Sequence, residues 1–174
     1  MELSTISRIL EETAYVRTGG SPAEQTCAQY IQAECRKFGC NAELESFPVS
    51  MSTIHTAVLT VDGKIIPCKG YLCAGNANIE APLYYLTDNS PYALSQCQGK
   101  IVLFDGYLGY WRYQDLLKYG AVGFISYDGH INYTDNDIDQ RELRKYVSNG
   151  NLLPGVNINA KDAVALIASG AATA

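Results

Sequence analysis

The chain has 174 residues, 47% of them hydrophobic, and a formal net charge of −5. That is enough apolar material for one domain, or one and a fraction, with a core of its own. The acid excess and the lack of a basic patch set nucleic acid aside as a partner, and no apolar run approaches the roughly 20 residues that span a bilayer.

The opening, MELSTISRILEE, carries acids and no apolar block, so it does not read as a secretory signal. Either the protein is cytoplasmic or a signal lies outside this stretch. Leu3, Ile6, Ile9 and Leu10 recur at helical spacing, which predicts a first helix. Gly19-Gly20 breaks it. Ser21-Pro22-Ala23-Glu24 then has a capping hydroxyl, a proline suited to the first helical position and the acid of a capping box. Cys27, Ala28, Ile31, Cys35 and Phe38 continue a second apolar stripe until Gly39 ends the helix. Asn41–Phe47 alternates as a strand would.

From Met51 the pattern turns to β. Thr53–Val61 is rich in Ile, Val and Thr, and Asp62-Gly63 joins it to Lys64–Pro67, a short-range hairpin signal. Cys68–Asn78 has no periodicity and reads as loop. Ala81–Leu86 is a further strand. Ile101–Phe104 is a continuous apolar run, as in a strand buried on both faces. Tyr113, Leu116 and Leu117 then share one helical face, Gly120 caps the helix, and Ala121–Ser126 supplies a second buried strand. A helix between two buried strands lets them lie parallel by a right-handed crossover. After a polar loop, DGHINYTDNDIDQRELRKYVSNGN, the chain closes with a strand over Pro154–Ile158. A last helix, Ala160–Ser169, is capped by Asn159 and ended by Gly170.

Two resemblances rest on these residues. GKIVLFDG, a short helix, KYGAVGFISYDG and LLPGVNINAKDAVALIASG resemble, in that order, the centre and close of a protease-associated domain. That domain is a non-catalytic module inserted in or attached to many peptidases. The first segment, YVRTGGSPAEQTCAQYIQAECRKFGC followed by ELESFPV, resembles the opening of the two-zinc aminopeptidase family. Arg17, Gly20 and Ser21 fit the Arg and Gly-Ser pattern of that family; a solvated loop residue is the plain alternative for Arg17. A protease-associated domain interrupts this catalytic domain in a subset of the family. The implied architecture is α/β, a mixed β-sheet or sandwich of the protease-associated type with flanking helices, preceded by two N-terminal helices. Residues 1–47 would open the catalytic domain and residues 48–174 would form the protease-associated domain.

The chemistry-bearing residues point away from a catalytic centre in this stretch. A two-zinc hydrolase needs His, Asp and Glu ligands around both metals and a carboxylate base. The chain has two histidines, His55 and His130, and neither belongs to a His-x-Asp or His-Glu-x-x-His signature. Both read as structural or surface side chains. Cys35/Cys40 and Cys68/Cys73 are each separated by four residues, a spacing that zinc permits, but free thiols suit their positions better. Counting from Asp135, the sixth and twelfth places of a calcium loop hold Gln140 and Tyr146, so the EF-hand pattern fails. No cofactor is expected in this chain; the resemblance implies zinc in a catalytic domain outside it.

What stands out is tyrosine, 13 in all. Tyr107, Tyr110, Trp111 and Tyr113 follow one central strand, and Tyr127 and Tyr133 follow the other. Read as loops, these leave the C-terminal edge of a parallel pair, the usual binding edge of an open α/β sheet. Tyr and Trp are also enriched at interface hot spots. Together with Asp135 and Asp137, which could attract a free amino terminus, they are the candidate substrate or interface residues. The implied partners are the enzyme's own catalytic domain and a peptide substrate. The stripes Leu3/Ile6/Leu10 and Ile31/Cys35/Phe38 would favour a homodimer if left uncovered. A free-standing peptide- or carbohydrate-binding module is the alternative of a different class.

Overall fold

A computed structural model describes residues 3–49, 51–128 and 138–174. The chain falls into two compact units, Met1–Met51 and Ser52–Ala174.

The first unit is a helical pair, α1 (Leu3–Thr13) and α2 (Pro22–Lys37). The start of α2 follows from its sequence. The Ser21 hydroxyl accepts from the Glu24 amide at 3.2 Å, Pro22 fills the first turn, and the Glu24 carboxylate reaches back to the Gly20 amide. The helices are tied by charge: Arg8 makes a two-pronged contact with Glu34 at 2.7 and 3.1 Å and also donates to the Tyr30 hydroxyl at 2.7 Å. Lys37 donates to Glu34 at 2.6 Å. These donors hold the largely buried Glu34 carboxyl down at about 2. The expected strand over 41–47 does not form. No strand is present among the unit's described residues to complete a ladder, and the Ala42 carbonyl accepts from Gln32 and Arg36 side chains instead.

The second unit is built on a five-stranded sheet. In chain order its elements are β1 (Leu59–Val61), β2 (Lys64–Ile66), β3 (Cys68–Gly70), β4 (Leu83–Tyr85), α3 (Pro91–Ser95) and β5 (Ile101–Asp105). Then follow α4 (Tyr110–Lys118), β6 (Gly123–Tyr127), α5 (Lys145–Ser148), β7 (Gly155–Ile158) and α6 (Ala160–Ser169). The sheet order is β3-β7-β6-β5-β4, with β4 through β7 parallel and β3 antiparallel to β7. The fold is therefore mixed α/β, as the alternation of buried strands and helices implies. The central register sets Ile101 beside Gly123 and Asp105 beside Tyr127, so β5 and β6 end together.

Both faces of the sheet are covered. Val102, Phe104 and Phe124 point to one face, where Ala93, Leu94, Tyr113, Leu116 and Val147 of α3, α4 and α5 bury them. Ile101, Leu103 and Ile125 point to the other, under Leu59 and Val61 of the β1–β2 hairpin and Ala163 and Leu166 of α6. This is why β5 reads as an unbroken apolar run rather than an alternation. The hairpin turn forms at Asp62-Gly63, where both residues take positive φ (46° and 76°), as the twist-matched two-residue turn requires.

Three expectations are corrected. The strand read over Thr53–Val61 pairs only at Leu59–Val61, because β2 stops at Ile66 and the chain passes straight into β3, which pairs with β7. Cys68–Asn78, read as loop, contains β3, an edge strand held by backbone pairing without a side-chain pattern to announce it. The polar stretch after Tyr127 contains the short helix α5, and α3 appears where no helix was expected, capped by the Ser90 hydroxyl on the Ala93 amide.

The aromatic edge of the central sheet

The C-terminal ends of β5 and β6 are held by arginines. Gly106 turns the chain with φ of 90°, a conformation glycine adopts freely, and its amide donates to the Tyr127 carbonyl at 2.7 Å. Arg112 donates to the Asp105 carbonyl at 2.6 Å and lies over the Phe104 ring. Buried Arg141 donates to the Gly106 carbonyl at 3.1 Å and pairs with Asp128 and Asp139, each at 3.4 Å. Beneath it a polar chain crosses the sheet. The Tyr71 and Ser126 hydroxyls are 2.6 Å apart, Ser126 donates to Asn157 at 2.7 Å, and Asn157 donates to the Asp139 carbonyl at 3.0 Å. Each buried polar group there has a partner, which fixes the edge rather than leaving it reactive. Arg141 has no pattern in the sequence that marks it; only the parallel register brings its partners together.

The structure separates the candidate residues. Tyr107, Tyr110 and Trp111 are exposed by 57%, 41% and 79%. The last two rings meet edge to face at 5.1 Å. They do not all lie in a loop: α4 begins at Tyr110, so Tyr110 and Trp111 form its first turn. Tyr113, grouped with them as a candidate, is a fully buried helical residue, on the face it was expected to share with Leu116. Its hydroxyl donates to the Asn151 carbonyl at 2.5 Å and accepts from the Leu153 amide at 2.8 Å. Burial pushes its phenol up. Tyr127 lies within β6, buried, with its hydroxyl 3.3 Å from that of Tyr85. Burial first, then Tyr85 and Asp105, push its ionisation well above the ordinary tyrosine range. These two rings pack because helical and strand periodicity turns them inward. Tyr133, Asp135 and Asp137, with His130, lie outside the described residues.

Two residues that sequence reasoning left in a polar loop join the exposed group. Tyr146 of α5 is 62% exposed, and it and Tyr107 raise the pKa of the nearby Arg144 guanidinium. Helices α4 and α5 are linked by Gln114 donating to the Val147 carbonyl at 2.9 Å. The signal was present as a tyrosine and an arginine two residues apart, but only the packing of α5 beside α4 gives it meaning. The result is a patch of four exposed rings with one guanidinium. Such a surface stacks, donates hydrogen bonds and attracts an anion.

His55 is exposed in the segment before β1, and all six cysteines are free. Among the described residues no group of three or more His, Cys, Asp or Glu side chains could hold a metal ion.

The fold is shared with parts of larger proteins. Nearly the whole chain, 98%, matches 40% of BSAP, a zinc aminopeptidase from Bacillus subtilis, with 24% identity and a TM-score of 0.67. An aminopeptidase from Aneurinibacillus sp. strain AM-1 matches over 96% of this chain and 41% of its own, with 20% identity and a TM-score of 0.63. A peptidase M28 precursor from Shewanella amazonensis SB2B matches over 98% and 44%, with 15% identity and a TM-score of 0.63. The chain thus spans about two fifths of the length of these solved structures. No protein-family model and no curated protein matches it.

Proposed function

We propose that the chain is the opening segment and the protease-associated domain of a zinc-dependent aminopeptidase, and that it shapes substrate access or association without performing the chemistry. The observation that supports this reading is the breadth of the structural match: nearly the whole chain, both units included, matches about two fifths of a zinc aminopeptidase and of a second aminopeptidase. Zinc and its ligands belong, on this reading, to a catalytic domain outside the chain. The partners are that catalytic domain and the peptide substrate, which the exposed rings Tyr107, Tyr110 and Trp111 contact. Without the catalytic domain, the exposed α1 stripe of Leu3, Ile6 and Leu10 is free to pair with a second copy.

The test has two arms. The purified chain, given aminoacyl-p-nitroanilides and excess zinc, should show no turnover; zinc-dependent activity that survives repurification and is lost on mutating His55 or His130 would refute the assignment. In the enzyme that contains this chain, Trp111→Ala should lower kcat/KM on longer peptides about thirtyfold, the equivalent of roughly 2 kcal/mol for an aromatic anchor. An unchanged value with intact stability would remove the ring from the substrate path. A free-standing peptide- or carbohydrate-binding module is the second reading, favoured by the exposed ring cluster alone, and it has no catalytic domain for Trp111 to serve.

A further inference from the structure

Four residues separate Cys35 from Cys40, and both thiols are free; Cys40 is exposed and Cys35 half-buried. The end of α2 decides how far apart they lie. The Gly39 amide donates to the Arg36 carbonyl and the Cys40 amide to the Cys35 carbonyl, each at 3.0 Å, with Gly39 in the left-handed region at φ 79°. This pair of bonds is a Schellman turn around the cap residue Phe38. In such a turn the residue three places before the cap and the residue two places after it come side by side, commonly in side-chain contact. Here those residues are Cys35 and Cys40. Bond lengths on either side of their 3.0 Å hydrogen bond limit the Cα separation to about 7 Å, and the bends along that path bring it into the roughly 4.4–6.8 Å that a disulfide spans. Cys68 and Cys73 have the same spacing and the opposite outcome. β3 and the Leu72 bridge keep the chain between them extended, about 13 Å over four steps. The approach of the first pair is built inside Cys35–Cys40, so it holds whatever the chain is joined to.

We propose that Cys35 and Cys40 form a dithiol site that closes reversibly to a disulfide by exchange with a small-molecule disulfide such as glutathione disulfide. The exposed Cys40 thiolate attacks one sulfur of the small disulfide, forming a mixed disulfide and releasing one thiol. The Cys35 thiolate then attacks the Cys40 sulfur of that mixed disulfide and releases the second thiol. Two electrons pass from the cysteines to the small disulfide, and the two protons they lose end on the released thiols. The closed loop is short, so the crosslink removes little freedom from the unfolded chain, and an exposed bond of this kind is readily reduced again. Its effect on the fold is local. It clamps the turn that follows Lys37, whose ammonium reaches Glu34, the carboxylate that Arg8 uses to tie the two helices. Oxidation therefore stiffens the end of the helical pair. The site is independent of the aromatic edge and of the aminopeptidase reading.

The test places the whole reduced chain in glutathione buffers of increasing disulfide content. Acid quenching, alkylation of the remaining thiols and peptide mass spectrometry then read which sulfurs are joined. With excess glutathione disulfide the expected product is an intramolecular Cys35–Cys40 bond, reopened by excess reduced glutathione. Amide exchange at Gly39 and Cys40 should be slower in the oxidised chain. Cys35→Ser should stop at the glutathione mixed disulfide on Cys40. The turn itself is tested at Gly39, where an added Cβ has no described atom within 4 Å, so only the backbone conformation is at stake. Gly39→Asn tolerates the left-handed region and should oxidise like wild type, whereas Gly39→Val should lower the equilibrium constant for closure about tenfold. Product mapping in wild type and the Cys35→Ser arm keep the test decisive if the valine variant fails to fold. Separate glutathione adducts on Cys35 and Cys40, a bond from either to Cys27 or to a second chain, both thiols left unreacted, or equal closure in a folded valine variant would overturn the proposal.

Discussion

Tyr113→Phe isolates one hydroxyl at the centre of the second unit. The ring itself stays: it packs edge-on against Phe124 at 6.2 Å, and phenylalanine keeps that contact. What is lost is the pair of bonds to residues 151 and 153, which tie α4 to the chain entering β7. The Leu153 amide gives its hydrogen to this hydroxyl, so the substitution takes away that acceptor at a cost of about 1–3 kcal/mol. The Asn151 carbonyl belongs to an exposed residue and can turn to water, so it adds little. A loss of about 2 kcal/mol is expected, or roughly 8 °C in Tm for a unit of this size. Urea unfolding followed by far-UV circular dichroism should show a lower midpoint with an unchanged slope, since neither the folded nor the unfolded surface changes. A difference from wild type below about 0.5 kcal/mol would refute the claim that this hydroxyl fastens α4, since changes of that size are ordinary surface effects. The linkage to pH has a definite sign. Because folding raises the phenol's pKa, its contribution is complete below the unfolded value near 10 and is lost as pH rises through the folded value.

Two further outcomes follow from single contacts. Glu34 is held at about 2 by Arg8 and Lys37, below its ordinary 4.5, so its contribution to the helical pair is full above pH 4.5 and fades as pH falls through about 2; a carboxyl carbon titration by NMR with a midpoint above 4 would refute the Arg8 clasp. A Cβ at Gly155 would sit 2.0 Å from the Phe124 ring, which Tyr71, Phe104 and Tyr113 surround, so Gly155→Ala should destabilise by about 3 kcal/mol and Phe124→Leu should recover part of it; additive losses in the double variant would refute the clash.

The sequence pattern revealed whatever is set locally. The Ser21 and Asn159 caps, the Asp62-Gly63 turn, the left-handed Gly170 and the parallel β5–β6 pair all form as their residues dictate. Misplaced features depend on partners distant in the chain. β3 exists because β7 offers it a free edge, and α5 matters because Gln114 of α4 reaches it. The aromatic site was half legible for the same reason. Composition marked the rings as unusual, but only the inward faces of α4 and β6 show that Tyr113 and Tyr127 are core and that Tyr107, Tyr110, Trp111 and Tyr146 are surface.

Two stretches fail in the opposite sense, and the failure carries information. Residues 41–47 and 53–58 both have the composition or alternation of strands, and neither is in a ladder. Local pattern and tertiary structure usually agree, and the places where they part tend to be functional. For 53–58 the unpaired stretch runs directly into β1, whose pairing with β2 begins only at Leu59. Strand propensity alone does not hold a strand, because the ladder hydrogen bonds need a partner, so both stretches stay outside any ladder despite their composition.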